Sequence, residues 1–209
     1  MTAIRAQKLV VFFIVIGLLF LCLVGCSGKE DPSKHAVFFT VGDFEYVVDS
    51  LDADTVGLVS YASAKSAISV EVPASVTFRD KTYSVVRIGA CAFLSADVTF
   101  VVVTKGIRSV EEYAFAHCAA QEIDLPDTVV RVGERAFADC PFLHVVRFAA
   151  AHPPTLGGSA FSVYDRERGR YTDYPSLRIE IPDGSKEDYE EAGYPSSALK
   201  TVAVTEEVH

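Results

Sequence analysis

The cysteines and histidines, five of each, are the side chains best suited to chemistry, and their spacing indicates little of it. No two cysteines form the Cys-x-x-Cys pair typical of zinc sites and redox dithiols. His117 and Cys118 are adjacent, but neighbouring side chains on an extended segment point to opposite faces. Adjacent carboxylates such as Glu111 and Glu112 are more typical of solvated charges. We therefore predict no catalytic residue, no metal site and no cofactor, and expect that the protein is not an enzyme.

Cys26 lies in a context that predicts covalent lipidation. Residues 9–24 are almost wholly apolar, and Arg5 and Lys8 precede them. A basic start, an apolar run and a small residue at its end are typical of a secretory signal. The Gly25-Cys26 junction resembles the bacterial lipobox, which implies a signal peptide over 1–25 and a lipidated Cys26 as the first mature residue. Several acyl chains on that cysteine would anchor the protein stably in a membrane.

Two alternatives to lipidation stay open, an uncleaved transmembrane anchor and ordinary secretion. The anchor would need about 20 apolar residues, and this run is shorter and is interrupted by Gly17. Residues 26–36 are polar and contain glycine and proline, so we predict a flexible tether. Residues 27–31 resemble the tag that directs Bacteroidetes lipoproteins to the outer face of the outer membrane, although an ordinary tether has a similar composition. The expected location is the cell envelope, lipid-anchored in the outer membrane and exposed at the surface.

The charge balance argues against a nucleic-acid partner. The chain has 19 basic and 28 acidic residues, and removal of residues 1–25 takes away two basic ones. The mature chain then has 17 basic against 28 acidic residues, a net charge of −11. Such a surface repels phosphate backbones, and no basic stripe offsets it.

A repeat runs through the middle of the chain. The pattern aliphatic-x-x-x-Ala-Phe occurs four times, and its phenylalanines are Phe93, Phe115, Phe137 and Phe161, whose sequence numbers differ successively by 22, 22 and 24. Segments of strand-like alternation recur in step with them, at 70–73, 101–103, 123–125, 145–148 and 179–182. One unit of this size cannot bury its own apolar strand and phenylalanine. Stacked units can, so we predict a solenoid with the phenylalanines in one column.

The repeat resembles the BspA-like bacterial leucine-rich repeats, whose unit reads IP-x-x-V-x-x-IG-x-x-AF-x-x-C. Residues 125–140 match that unit almost throughout, and the resemblance covers about residues 68 to 182. Thr104, Glu111 and Ala96 depart from the proline, glycine and cysteine expected in the first coil. Cys118 and Cys140 each lie three residues after a phenylalanine. Adjacent coils would bring these two within reach of a disulfide, but we favour a ladder of buried thiols.

The fold class we predict is mainly β, a short leucine-rich-repeat solenoid with a parallel sheet, an N-terminal β-hairpin cap and a short C-terminal helix. The cap spans 37–87, with a hairpin of 44–48 and 56–61 around Asp52-Ala53-Asp54 and a second strand pair around residues 79–81. The solenoid spans 88–182, and a C-terminal cap and tail span 183–209. In that last part Ser185 and Asp188 suggest a capping box, and Gly193 and Pro195 end the helix.

Two surfaces are candidate binding sites. The outward strand positions form a face on the order of 20 Å across, wide enough for a peptide strand or a few sugars. They are Glu71, Val102, Asp124, Arg147 and Glu180. The second surface is the segment 162–176, an expected exposed loop with Arg166, Arg170 and Tyr171. Tyrosine and arginine are enriched where proteins bind one another, although a solvated insertion has a similar composition.

The resemblance implies a surface or envelope lipoprotein that binds or adheres to a protein or glycan ligand. The alternative is a glycan-handling enzyme or enzyme-accessory lipoprotein that uses the solenoid face, and a purely structural envelope component is a third reading. An ordered cleft with convergent carboxylates would favour the enzyme. A flat, charged face would favour the binding module.

Overall fold

A computed structural model describes residues 36–48, 54–63 and 66–203. The predicted signal peptide 1–25, Cys26, tether residues 26–35 and the predicted turn residues Asp52 and Ala53 lie outside the described residues. The described residues form sixteen strands and one short helix. In chain order they are β1 (Phe38–Val41), β2 (Phe44–Val48), β3 (Thr55–Tyr61), β4 (Ala67–Val72), β5 (Ser75–Phe78), β6 (Lys81–Ile88), β7 (Val98–Val103), β8 (Ser109–Val110), β9 (Glu122–Leu125), β10 (Arg131–Val132), β11 (Val145–Phe148), β12 (Thr155–Leu156), β13 (Ser162–Asp165), β14 (Arg170–Asp173), β15 (Arg178–Pro182), α1 (Lys186–Glu191) and β16 (Leu199–Val202).

Two sheets line the solenoid. The first, here called the long-strand sheet, is parallel throughout and has the order β16-β15-β11-β9-β7-β4. The second has the order β1-β2-β3-β6-β8-β10-β12, and β5 also pairs with β6. It is here called the short-strand sheet, because its strands within the repeat, β8, β10 and β12, have two residues each. Each coil of the repeat contributes one strand to each sheet, so the chain alternates between the two. A parallel sheet was predicted, and the long-strand sheet confirms it. The second sheet was not predicted.

The repeat phenylalanines form a continuous stack between the two sheets, as the repeat predicted. Ring centroids are 4.8 Å apart for Phe93 and Phe115, 5.5 Å for Phe115 and Phe137, and 5.1 Å for Phe137 and Phe161. All four rings are buried. Tyr61 of the amino-terminal cap stacks on Phe93 at 5.2 Å and extends the column.

The Ala-Phe turns are joined by a ladder of backbone hydrogen bonds. In the turn around Phe115, the N–H groups of Tyr113, Phe115 and His117 donate to the carbonyls of Glu134, Ala136 and Ala138. The turns around Phe93 and Phe137 repeat the same three bonds to the following coil. This geometry places the residues two before and two after the phenylalanine in the left-handed region without glycine, as at Tyr113 (φ 55°) and His117 (φ 55°).

The glycine of the repeat allows adjacent coils to approach closely. A methyl group built on Gly133 would lie 2.6 Å from the backbone carbon of Glu111 and 2.6 Å from the nitrogen of Glu112. Gly89 has the same relation to the carbonyl oxygen of Leu58, at 2.6 Å. Any side chain there would force neighbouring coils apart.

The amino-terminal cap contains the two predicted antiparallel pairs and one strand more. β2 pairs with β3, and β5 pairs with β6 through a turn in which Arg79 and Asp80 both have positive φ. β1, which was not predicted, pairs with β2 and places Phe39 against Phe78 with ring centroids 4.4 Å apart. β4 belongs to the long-strand sheet, and the other strands of this region belong to the short-strand sheet, so both sheets continue into the predicted cap.

The carboxyl-terminal end has a helix where one was predicted, but the predicted capping box does not form. The Ser185 hydroxyl donates to the Pro182 carbonyl at 2.7 Å and does not accept from the helix N–H groups. The helix ends in a Schellman motif, because Gly193 has φ 88° and the Tyr194 N–H donates to the Tyr189 carbonyl. The buried Tyr189 and Tyr194 rings cover the last coil at Phe148.

The segment 162–176 was expected to be a loop and contains an antiparallel hairpin of β13 and β14. Its strands join through a tight turn that ends at Gly169, with φ 63°. The Tyr174 hydroxyl fixes its base to the solenoid, since it donates to the Phe137 carbonyl at 2.8 Å and accepts from the Cys140 N–H at 2.6 Å. The expected exposure is found at the tip, where residues 166–171 are exposed.

Candidate functional site

The predicted outward positions lie in one row across the long-strand sheet. The register pairs Glu71 with Val102, Val102 with Asp124, Asp124 with Arg147, and Arg147 with Glu180. Because side chains alternate along a strand, these five side chains are presented on the same face. The row continues to Lys200 on β16, which sequence reasoning did not include.

Arg147 is the centre of an ion-pair network on this face. Its guanidinium lies 2.6 Å from Glu122, 2.9 Å from Asp124 and 2.7 Å from Glu180. Arg178 in turn contacts the second oxygen of Glu180 at 3.2 Å. Burial opposes the arginine charge, but the hydrogen bonds to the three carboxylates outweigh it and raise the pKa of Arg147 above its usual value. Of the predicted residues, Asp124 and Glu180 thus both bind Arg147.

Towards the β4 end of the same face, β7 presents apolar side chains. Phe100 and Val102, two residues apart on β7, are 37% and 40% exposed. In register, Phe100 lies between Ser69 and Glu122, while Val102 lies between Glu71 and Asp124. Val102 is therefore bordered by carboxylates on both sides, and Phe100 by a serine on one side and a carboxylate on the other.

The three predicted residues of segment 162–176 lie on or beside the β13–β14 hairpin, which is a separate two-stranded sheet and not part of the long-strand sheet. Arg166 and Arg170 are exposed, and Tyr171 is partly covered by Arg135, whose guanidinium lies 4.5 Å above its ring. Tyr171 also meets Tyr164 edge to face at 5.3 Å. The guanidinium of Arg135 donates to the Tyr113 hydroxyl at 2.7 Å, so the hairpin packs on two coils of the solenoid. The binding role of Arg166, Arg170 and Tyr171 stays a prediction.

Three residues on the same face of the long-strand sheet were not predicted, namely Phe100, Glu122 and Lys200. The first two lie two positions before Val102 and Asp124, so an extension of the same alternation by one step would have found them. Arg135 and Tyr113 were also missed, since only the fold brings them to the hairpin.

The cysteines and histidines of the repeat do not form a reactive pair. Cys118 and Cys140 are buried free thiols, and the Cys140 thiol donates to the Phe115 carbonyl at 2.9 Å. Burial raises the pKa of Cys118 to about 11 and that of Cys140 to about 12. His117 is exposed beside the buried Cys118. Among the described residues, no group of three or more His, Cys, Asp or Glu side chains is placed to hold a metal ion.

The coils, their two sheets and the buried aromatic column define a leucine-rich-repeat protein. Residues 62–166 match the family model described as BspA type leucine rich repeat region (6 copies). The chain belongs to this family.

Solved structures of other leucine-rich-repeat proteins resemble this chain. A leucine-rich repeat protein from Bacteroides capillosus is 23% identical with a TM-score of 0.54, and the match covers 69% of this chain and 97% of that one, which supports the fold. A leucine rich cell surface protein from Faecalibacterium prausnitzii is 20% identical with a TM-score of 0.40, over 85% of this chain and 44% of that one. The leucine rich repeat protein of T. pallidum is 17% identical with a TM-score of 0.39, over 84% and 100%. No curated protein matched. Within residues 36–48, 54–63 and 66–203, no helix has the length and apolar character needed to span a membrane.

Proposed function

We propose that this chain is an envelope lipoprotein, lipidated at Cys26, that binds protein partners through the long-strand sheet. The observation that carries the binding role is the register row of Glu71, Val102, Asp124, Arg147 and Glu180. A row of mixed charged and apolar side chains on adjacent parallel strands offers a firm surface to an extended partner. Repeat solenoids use such extended faces for recognition.

The family supports a location at the cell surface, which is typical of BspA-type proteins. The proposal goes further than the family does. It includes lipidation at Cys26, attachment to the outer membrane and exposure at the cell surface. These parts rest on the lipobox-like junction and on the tag-like residues 27–31.

The glycan-handling alternative receives no support from the three carboxylates that converge on this face. Glu122, Asp124 and Glu180 do converge, but they converge on the Arg147 guanidinium. A general acid or base must reach a substrate proton, and these carboxylates are bound to a permanent cation. A binding surface is the function that this arrangement supports best.

The binding role can be tested on whole cells with a photo-crosslinking residue at position 124, in the middle of the row. We expect a discrete crosslinked protein adduct, and a crosslinker at Val130, which is exposed outside the long-strand sheet, serves as the control. Equal adducts from both positions, or none from position 124, would argue against recognition by this face.

The anchor is tested separately with Cys26→Ala. We expect this variant to lose incorporation of labelled fatty acid and to leave the membrane fraction, whereas Cys22→Ala retains both. Unchanged membrane retention and labelling of Cys26→Ala would exclude lipidation at this position.

A further inference from the structure

We infer that the β4–β7 end of the long-strand sheet is the recognition site for a polypeptide segment that presents an apolar side chain flanked by lysine or arginine. This inference rests on the proposed binding role of the sheet and specifies where partners bind and what chemistry they carry. The site comprises Glu71, Phe100, Val102, Glu122 and Asp124, here called the β7 patch.

The two ends of the face differ in how many of their charged side chains already form ion pairs within the protein. At the β11–β15 end, Arg147 and Arg178 hold Glu180, and Arg147 also holds Glu122 and Asp124. A charged ligand group that binds there must first break short ion pairs. Most of the binding free energy of its new contacts then only replaces that of the ion pairs that are broken. In the β7 patch, Glu122 and Asp124 are held by the same arginine, but Phe100 and Val102 can be covered by a ligand without breaking an ion pair.

The apolar part of the patch is available for burial. Phe100 and Val102 lie two residues apart on one face, and both are exposed beyond a third of their surface. Phenylalanine is among the residues enriched at protein interfaces, and Val102 adds apolar surface beside Phe100. Neighbouring strands are about 4.8 Å apart, so the bordering carboxylates lie within reach of the same bound segment.

The charge around the apolar pair sets the chemistry of the partner. The Glu71 side chain makes no ion pair or hydrogen bond with the described residues, and it lies beside Val102 in register. On the face as a whole, four carboxylates (Glu71, Glu122, Asp124 and Glu180) meet three cationic side chains (Arg147, Arg178 and Lys200), which leaves one negative charge in excess. A cationic flank on the ligand complements this excess and speeds association.

Other occupants fit these observations less well. A second copy of this acidic chain would place the same carboxylates against each other across the interface. An anionic lipid surface would be repelled for the same reason. A sugar needs several free hydrogen-bonding groups beside its aromatic platform, and the arginines nearest to the patch are already paired.

The test uses the full-length chain in nanodiscs of phosphatidylcholine, with empty nanodiscs subtracted. Three fluorescent peptides serve as probes, one that alternates lysine with leucine, one that alternates lysine with serine and one that alternates glutamate with leucine. We expect the lysine–leucine peptide to bind at least about fivefold more tightly than either of the others, because it alone satisfies both parts of the patch. Its affinity should fall as salt is added.

Substitutions then assign the binding to the patch. Phe100→Ser should weaken the lysine–leucine peptide about tenfold, whereas the matched control Val130→Ser leaves it unchanged. Glu71→Lys should weaken that peptide and strengthen the glutamate–leucine peptide, and this reversal cannot come from misfolding. Equal losses in Phe100→Ser and Val130→Ser, or no reversal in Glu71→Lys, would overturn the inference.

Two further outcomes separate this inference from the proposed function. If position 124 crosslinks a protein on cells while the lysine–leucine peptide shows no preference, the face binds proteins by another chemistry and only the inference fails. If sedimentation shows a dimer that Phe100→Ser abolishes, the patch is covered by a second copy and the inference is likewise overturned.

Discussion

Phe137 and Phe161 lie with their ring centroids 5.1 Å apart and their planes 5° from parallel, although they belong to different coils of the chain. This contact joins the two coils through the middle of the molecule. The same relation recurs at Phe115 and Phe137, so Phe137 is covered on both faces by a ring from another coil. The stability of one coil therefore depends directly on its neighbours.

Replacement of Phe137 by alanine removes the centre of this column. We expect Phe137→Ala to lower the free energy of unfolding by about 3–5 kcal/mol, because the cavity between two rigid neighbours cannot collapse. Phe142→Ala is the control, since that ring is 61% exposed, and its effect should stay within about 0.5 kcal/mol. Urea denaturation followed by circular dichroism measures both, and a loss below about 1 kcal/mol for Phe137→Ala would contradict a packed column.

Gly133 and Gly158 provide a matched pair of glycines. A methyl group on Gly133 would lie 2.6 Å from the backbone of Glu111, whereas one on Gly158 meets nothing within 4 Å. Neither residue has a positive φ, so space alone distinguishes them. We expect Gly133→Ala to cost about 1–3 kcal/mol and Gly158→Ala to be neutral or slightly stabilising. Equal melting temperatures of the two variants would mean that coil spacing is not set at this glycine.

The sequence predicted those features that follow from periodicity. Alternation along each strand and the regular spacing of the repeat together determine which side chains enter the phenylalanine column and which join the outward row. Asp124 and Arg147, for example, belong to successive coils and are paired in register as expected. A repeat carries this information because a slip in one coil would disturb every neighbour.

The features that were missed depend on particular contacts that neither periodicity nor residue type indicates. The hairpin at 162–173 is held by Tyr174, whose hydroxyl binds the backbone of Phe137 and Cys140 in the preceding coil. The capping box failed because the Ser185 hydroxyl finds the nearby Pro182 carbonyl instead. The left-handed turns carry residues such as Tyr113 and Arg135, whose types give no indication of a positive φ.

His117 offers a test of those turns. Its φ of 55° costs a residue with a Cβ atom about 1–2 kcal/mol relative to right-handed geometry, and glycine avoids that cost but loses chain entropy on folding. We expect His117→Gly to raise the free energy of unfolding by up to about 1 kcal/mol, whereas His117→Ala should bring no gain. The side chain is exposed, so packing is hardly changed. A melting temperature that falls in His117→Gly would contradict the left-handed turn.

The buried thiols predict a loss of stability at alkaline pH. Burial raises the pKa of Cys118 to about 11 and that of Cys140 to about 12, from a usual value near 9. Above that usual value the unfolded chain loses these protons while the folded chain retains them, so unfolding becomes easier. We expect the stabilising contribution to be complete below about pH 9 and to disappear as the pH rises towards 12. Urea midpoints over this range should fall more steeply for the native chain than for the double variant Cys118→Ala, Cys140→Ala, and parallel slopes would contradict the assignment.

Arg147 tests how much the ion-pair network contributes to the rigidity of the face. Arg147→Gln leaves Glu122, Asp124 and Glu180 close together without their shared cation. Because the Arg147 side chain is 38% exposed, water screens part of this repulsion, and we expect a loss of only about 1–2 kcal/mol. The loss should shrink at about 0.5 M salt, where exposed charges interact weakly. Arg178→Gln is the control, since that guanidinium contacts only Glu180 among the described carboxylates, and its effect should be smaller. A loss that is equal in both variants and independent of salt would mean that Arg147 contributes through packing and not through charge.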